Sequence, residues 1–412
     1  MDFPYRTKSM PINKRLVILV EDFPTGMGEP FLANELPLLI PYFSEIIILS
    51  RTFSSGNKNK HLFSLPEGVR VIYFKSVTRT AYLLSLGKAL FSMFKNECRD
   101  LKLEGQQFSW IGIKTAFKYR LSAKGIARQC IRVVIQEKFY TKDTLWYSYW
   151  WDSGALALHF LAQKGLISKW VSRAHGADLY AERHPKNYLP FRAEMLGSVS
   201  RIYTISHQGR TYLWKKYPKY SNKISLARLG VACTESIVSS ENKIVFVSIS
   251  SLLPVKRLEW MAKVFQNWKG PEIEWHHIGD SPPSAYRSNL ISMIEQSASE
   301  STSVVWKFHG FKEPATIYDV LRKIAPNALV NCSKFEGLPV SMMESMALGI
   351  PVIGPEIGGV PEIVSEGENG FLYKSNDFDS FFACINRFCK LSIESRNALA
   401  IKALETQRTF FS

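Results

Sequence analysis

Two carboxylates, Glu336 and Glu344, stand eight positions apart where a loop runs into an apolar segment of the chain. Pro339 suits the first turn of a helix, where a missing N–H costs nothing, and Gly349 suits its end. The helix expected over 339–349 aims its free N–H groups and the positive end of its dipole at the loop Phe335-Glu336-Gly337, an arrangement that suits an anion. Glu344, among Val340, Met342, Met343, Met346 and Ala347, is placed to accept hydrogen bonds from ligand hydroxyls. Alternatively, Ser341, Glu344 and Ser345 form the solvated stripe of an amphipathic helix. Spacing alone leaves both readings open.

Three further sites carry chemistry. Lys256 lies in Ser251-Leu-Leu-Pro-Val-Lys-Arg-Leu258, directly after an apolar run, where a lysine at a strand's carboxyl end reaches a ligand phosphate. Arg257 points to the other face if that segment is extended, and reads as a surface residue. His175 precedes Gly176, and a glycine there lets the backbone approach a ligand closely; a lone histidine reads equally well as a structural hydrogen-bonder. Gly26 and Gly28 follow the run Leu16-Val-Ile-Leu-Val20 and precede a helix expected to start near Pro30. A strand, a glycine turn and a helix can cradle a diphosphate, although the full dinucleotide fingerprint is missing. Glu29, beside them, reads as a ligand contact or as a first-turn helix carboxylate. His276 and His277 are neighbours on an expected strand, so their rings face opposite ways and cannot chelate one ion; no metal site is assigned.

The elements that must position these groups follow from the apolar runs. Strands are expected at 16–20, 45–50, 69–74, 144–151, from 170, at 202–206 and at 225–231. A second series follows at 243–250, 273–278, 304–308, 328–332, 350–353 and 370–373. Helix-length intervals separate most of them, which argues for parallel sheets covered on both faces. The fold class is therefore α/β, with two doubly wound domains facing each other across a cleft. The first domain is read as 1–233, a polar, aperiodic linker as 234–243, the second domain as 244–390, and a final helix as 391–412, whose return to the first domain is left open.

Across 412 residues, 52 Lys and Arg against 36 Asp and Glu leave a net charge of +16. An anionic partner is expected: nucleic acid, an anionic bilayer surface or a phosphorylated substrate. The charge is concentrated in 75–142. An apolar, helical-looking stretch at 81–94 is followed there by Lys95, Arg99, Lys102, Lys114, Lys118, Arg120, Lys124, Arg128 and Arg132, interleaved with Phe108, Trp110, Phe117 and Tyr119. This describes an interfacial membrane segment, an RNA-binding surface, or core helices with solvated basic faces. No charge-free apolar run approaches the length that spanning needs, and the five-residue run 16–20 meets Glu21 and Asp22 at once, so it is a strand and no signal segment. Six scattered cysteines, with no C-x-x-C pair, suit a reduced, cytosolic chain.

The glutamate pair, followed by ALGIPVIGPEIGGVPEIV (347–364) and ENGFL (368–372), resembles the nucleotide-sugar site of retaining glycosyltransferases of family 4, whose fold is GT-B, with two Rossmann-like domains. The resemblance implies that Glu336, with the backbone of Gly337 and Leu338, contacts the donor sugar and that Glu344 binds the ribose hydroxyls. It also implies that Lys256 meets the donor diphosphate and that the loop of Gly26 and Gly28 closes over diphosphate and acceptor. His175, in His-Gly-Ala-Asp-Leu-Tyr180, resembles the active-site histidine. Ser251 departs from the pattern, because the family usually has an arginine five residues before the lysine. The implied activity moves a sugar with retention from a nucleotide-sugar donor to a lipid-linked glycan acceptor in cell-surface polysaccharide synthesis. It needs no metal or other cofactor. The implied setting is cytoplasmic, peripheral on the anionic inner face of the plasma membrane, with no nucleic acid partner. Two rivals remain: a glycoside hydrolase using Glu336 and Glu344, and a catalytically decayed GT-B protein that binds RNA or membrane.

Overall fold

Valine, isoleucine and leucine runs free of charge become buried parallel strands, which read as unbroken apolar stretches because both faces are covered. The computed structural model describes residues 14–26, 28–51, 63–74, 97–139, 143–239, 243–299 and 303–412. The expected apolar helix at 81–94 lies outside the described residues. The chain divides into two units, Met1–Ala227 and Arg228–Ser412.

In the first unit the strands are β1 (Arg15–Val20), β2 (Glu45–Ser50), β3 (Val69–Tyr73), β4 (Thr144–Ser148), β5 (Lys169–Ala174), β6 (Arg201–Thr204) and β7 (Ile224–Leu226). They form one parallel sheet in the order β3-β2-β1-β4-β5-β6-β7. Along β1 the side chains alternate between two cores. Val17 and Leu19 join a cluster with Leu49, Trp146 and Trp170, while Leu16, Ile18 and Val20 join another with Leu32, Leu36 and Tyr147. Period-two alternation with apolar residues at every position is what a doubly covered strand requires.

The second unit contains β8 (Ile244–Ile249), β9 (Ile273–Ile278), β10 (Val304–Phe308), β11 (Ala328–Val330), β12 (Val352–Pro355) and β13 (Gly370–Tyr373). Their order is β10-β9-β8-β11-β12-β13, again parallel throughout. Both sheets reverse direction beside their first strand, the doubly wound arrangement.

Several strands end earlier than expected, two of them by three residues or more. Tyr149, Trp150 and Trp151 leave β4, because the Ser148 hydroxyl donates to Trp150 O at 2.7 Å and Asp152 caps the next helix by accepting from Gly154 N at 2.7 Å. After Ala227, whose N–H still donates to Thr204 O at 2.9 Å, the chain leaves the sheet: Val231 N donates to Phe411 O at 2.8 Å, next to the end of the last helix, Ile393–Phe410. Among the described residues no helix is long and apolar enough to cross a membrane.

Gly370 lies opposite Val352 in the β12–β13 pair, and a Cβ there would sit 2.0 Å from Val352 O. Gly370→Ala must push these strands apart and is expected to cost roughly 1–3 kcal/mol, read by denaturant unfolding of the second unit. A variant as stable as the parent would mean that the two strands pair in another register.

Candidate active site

In open parallel sheets, ligands bind at the carboxyl ends of strands where the winding reverses. In the second unit that point lies between β8 and β11, which pair directly. The chain leaving β8 makes a short 3-10 turn, Pro254–Lys256, and the chain leaving β11 makes the loop that holds Glu336. Lys256 Nζ donates to Glu336 Oε1 at 2.7 Å, and Asn331 Nδ2 donates to the same oxygen at 3.1 Å. Backbone ties the two loops as well, with Lys334 N donating to Val255 O at 2.8 Å. Asn331 is not among the residues expected from the sequence; its position just past β11 is the signal that could have found it.

Arg257 corrects an expectation. It is buried, with its backbone in the left-handed region at φ 47°. That turn rotates the guanidinium inward, where it donates to Cys332 O at 2.8 Å, Ser333 O at 2.9 Å and Asn376 Oδ1 at 2.7 Å, and stacks on Trp260. The arginine fastens the end of β11 to the lysine turn.

A second glycine loop presses on the first. Gly358 has φ +60°, and a Cβ on it would lie 2.1 Å from Glu336 O. At Gly359 a Cβ would lie 2.5 Å from Gly337 O, to which Gly359 N donates at 2.6 Å. Only glycines allow this approach. Leu338 is buried, and the eight-residue helix Val340–Ala347 starts just after it, with Pro339 at its N-cap. Gly349 follows at φ +76°. Ser345 is fully buried, which rules out a solvated stripe through it. Glu344 is half-buried, and burial pushes its carboxyl from 4.5 up to about 7.

In the first unit, three neighbouring strand ends converge. After β1, Gly26 N donates to Asp22 O at 2.9 Å and Gly28 N to Asp22 Oδ1 at 2.8 Å. Glu29 is fully buried and precedes the helix Leu32–Leu39. It accepts from Glu21 N at 2.6 Å, Asp22 N at 3.3 Å, Phe23 N at 3.2 Å and Trp150 Nε1 at 2.6 Å. Burial raises its carboxyl above the ordinary value, against the pull of those hydrogen bonds. The backbone donors of this loop thus form an anion nest that the chain's own carboxylates fill.

His175 follows β5. Its ring packs 4.3 Å from that of Trp150 and 5.4 Å from Tyr149, centroid to centroid, and its Nε2 meets no hydrogen-bond partner among the described residues. Asp178 holds the turn by accepting from His175 N at 2.7 Å and Trp151 N at 2.9 Å, with His175 Nδ1 at 3.5 Å. Burial works to raise Asp178, but its hydrogen bonds and the attraction of His175 outweigh it and hold the carboxyl below its usual range. Buried Arg192 completes the clamp, donating to Trp151 O and to Asp178 O and stacking on the Trp151 ring. His-Gly-x-Asp contained this signal three residues after the histidine.

His276 and His277 have separate partners: His276 Nε2 meets Glu274 and His276 Nδ1 meets His309, each at 2.8 Å, whereas His277 Nδ1 meets Ser248 at 2.8 Å. Among the described residues no group of three or more metal-ligating side chains converges.

Residues 234–406 match the family model described as glycosyl transferases group 1. The matched stretch lies within the second unit. WcaL of Salmonella typhimurium, provisionally named a colanic acid biosynthesis glycosyltransferase, is 24% identical over 254 residues, covering 58% of this chain and 60% of that one. The amylovoran biosynthesis glycosyltransferase AmsK of Erwinia amylovora is 25% identical over 256 residues, covering 57% and 58%. The chain thus spans about 60% of the length of the curated relatives it matches. Among solved structures, Anabaena HepE in complex with UDP and glucose superimposes with a TM-score of 0.64 at 15% identity, covering 97% of this chain and 96% of that one. The apo form of the lipopolysaccharide outer core galactosyltransferase WaaB gives the same figures. At such identity the likeness speaks for fold alone, and the fold is GT-B. The lysine turn, both glutamates and both glycine loops of the second unit all lie inside the group 1 glycosyltransferase match.

Glu344 generates a stability test. With its carboxyl raised from 4.5 to about 7, the folded chain keeps a proton between those pH values that the unfolded chain has lost, so stability falls as pH rises through that window. Glu344→Gln removes this penalty. The variant is expected to be about 1–3 kcal/mol more stable than the parent at pH 8 and equal to it near pH 4. Thermal melts at both pH values check this, and a variant less stable at pH 8 would show that a cation or donor serves the ionised carboxylate.

Proposed function

We propose that this protein is a retaining glycosyltransferase that moves a sugar from a nucleotide-sugar donor to a lipid-linked glycan acceptor in cell-surface polysaccharide synthesis. The observation that carries this reading is the Lys256–Glu336 pair, held beside a helix N-terminus where the sheet's winding reverses. Without ligand, lysine and glutamate neutralise each other. A bound donor supplies a better partner to each: diphosphate oxygens for Lys256 and sugar hydroxyls for Glu336, with the backbone of Gly337 and Leu338 alongside. Glu344, further along that helix, accepts from the ribose hydroxyls; burial alone shifts its carboxyl, and a site without a counter-charge suits a neutral donor group.

As the glycosidic bond breaks, negative charge grows on the leaving diphosphate. Lys256 and the N–H groups at Val340 stabilise that charge more than they stabilise the bound donor, which is the condition for catalysis. A departing phosphate oxygen can take the proton of the acceptor hydroxyl on the face it vacates, so the anomeric configuration is kept and neither a metal nor a strong base is needed. In the first unit, His175 offers an unsatisfied Nε2 to a sugar hydroxyl. The loop of Gly26 and Gly28 can offer an amide to an anion once the Asp22 carboxylate releases Gly28 N.

The names of WcaL and AmsK point to extracellular polysaccharides as the product class. HepE, a structural neighbour that binds UDP and glucose together, supports a nucleotide-linked sugar as donor. We assign the reaction to the cytoplasmic face of the plasma membrane. The serine in place of an arginine at 251 favours one competing reading, a decayed protein that no longer turns over.

Thermal shift against UDP-, GDP- and ADP-sugars is expected to raise the melting temperature with one base and not the others, since a ligand of the native state stabilises it by mass action. Lys256→Ala is expected to lower turnover by roughly 100-fold or more. A chain that binds none of these donors is the decayed form, and full activity in Lys256→Ala would remove the lysine from the reaction.

A further inference from the structure

Asn331 stands directly past β11 and is buried. Its backbone is fixed from two neighbouring strands. Asn331 N donates to Ile353 O of β12 at 2.9 Å, and the buried Tyr373 hydroxyl of β13 donates to Asn331 O at 2.9 Å. The side-chain amide is fixed as well. Asn331 Oδ1 accepts from Ser333 N at 2.9 Å, which closes an Asx turn, and Nδ2 donates to Glu336 Oε1 at 3.1 Å. A backbone N–H needs an acceptor and a carboxylate needs a donor, so these partners leave the amide a single orientation.

Lys256 Nζ donates to the same oxygen at 2.7 Å, from a side chain that is 25% exposed. The two donors differ in how they answer a ligand. An ammonium on a flexible stem turns toward the stronger anion within reach, and a diphosphate at these strand ends is that anion. A carboxylate held by lysine alone would then follow it or swing about its own torsions. Asn331 is neutral, its oxygen is occupied by the turn, and its backbone is held by two strands, so an anion does not draw it away. No hydrogen bond reaches Glu336 Oε2 among the described residues.

We infer that Asn331 is a positioning residue for sugar transfer: it holds Glu336 Oε1 while Lys256 turns to the donor's diphosphate, and so keeps Oε2 aimed at a hydroxyl of the donor sugar. The inference rests on the glycosyltransferase reading above. Asn331 acts through Glu336 and needs no contact with substrate. Its effect therefore falls on the sugar, which Glu336 meets, and spares the diphosphate, which Lys256 meets.

Two substitutions keep the turn and remove the donor. In Asn331→Ser the hydroxyl can still accept from the amide two residues on, but it is too short to reach Glu336. In Asn331→Asp one oxygen keeps that bond and the other sets a negative charge against Glu336. Full-length protein is titrated calorimetrically with the UDP-, GDP- or ADP-sugar that binds the parent and with the matching bare nucleoside diphosphate. Asn331→Ser is expected to weaken the nucleotide sugar roughly tenfold, as the loss of a hydrogen bond to a charged group does, and to leave the bare diphosphate within about twofold. Asn331→Asp is expected to weaken the nucleotide sugar further, and Lys256→Ala to weaken both ligands. Melting temperatures without ligand show that each variant is folded, and should Asn331→Asp fail to fold, Asn331→Ser carries the test. A residue that serves the turn alone leaves both Asn331 variants binding the nucleotide sugar as the parent does, and that result overturns the inference. So does an equal loss of both ligands in Asn331→Ser. A parent that binds no nucleotide sugar overturns the glycosyltransferase reading and this inference with it, and shows itself before any substitution is made.

Discussion

The site in the second unit rests on one backbone crossing. Gly359 N reaches Gly337 O at 2.6 Å, and no side chain fits between the two loops. A hydrogen bond this close, with no Cβ on Gly358 or Gly359, sets the height of the Glu336 loop above the sheet. Lys256 and Asn331 then meet one oxygen of Glu336, and Arg257 locks the end of β11 to the lysine turn from below.

The first unit solves the same problem with carboxylates. Glu29 and Asp22 satisfy the donors of the glycine loop, Asp178 satisfies those of the histidine turn, and Trp150 links the two through its hydrogen bond to Glu29 and its ring contact with His175. Loops at the ends of β1, β4 and β5 are therefore one polar network on an apolar sheet. Buried networks of this kind are costly if incomplete, which sets apart His175, whose Nε2 has no hydrogen-bond partner among the described residues.

Much of this is legible in the sequence. Buried parallel strands favour apolar runs, so the thirteen strands among the described residues show themselves; Glu336 and Lys256 stand out as charges just past such runs, and Glu344 as a charge among apolar helix residues. The errors share a cause. Arg257 reads as a surface residue because an extended chain alternates its side chains, and only the left-handed turn at that residue sends it inward. Glu29 reads by its place in the chain, whereas its partner Trp150 lies 121 residues away and nothing local announces the contact. Local rules find elements and their ends; they do not report which side chains meet across a sheet.

The helix Trp110–Gln136 of the first unit has a consequence for how its surface can change over time. The inward face, with Ala116, Ala123, Ala127 and Cys130 beside Leu121, Ile126 and Val133, supplies the grip, while Lys114, Lys118, Arg128 and Arg132 are exposed on the other side. Substitutions there leave the scaffold intact, so descendants of this chain can vary that face while the core behind it stays as it is.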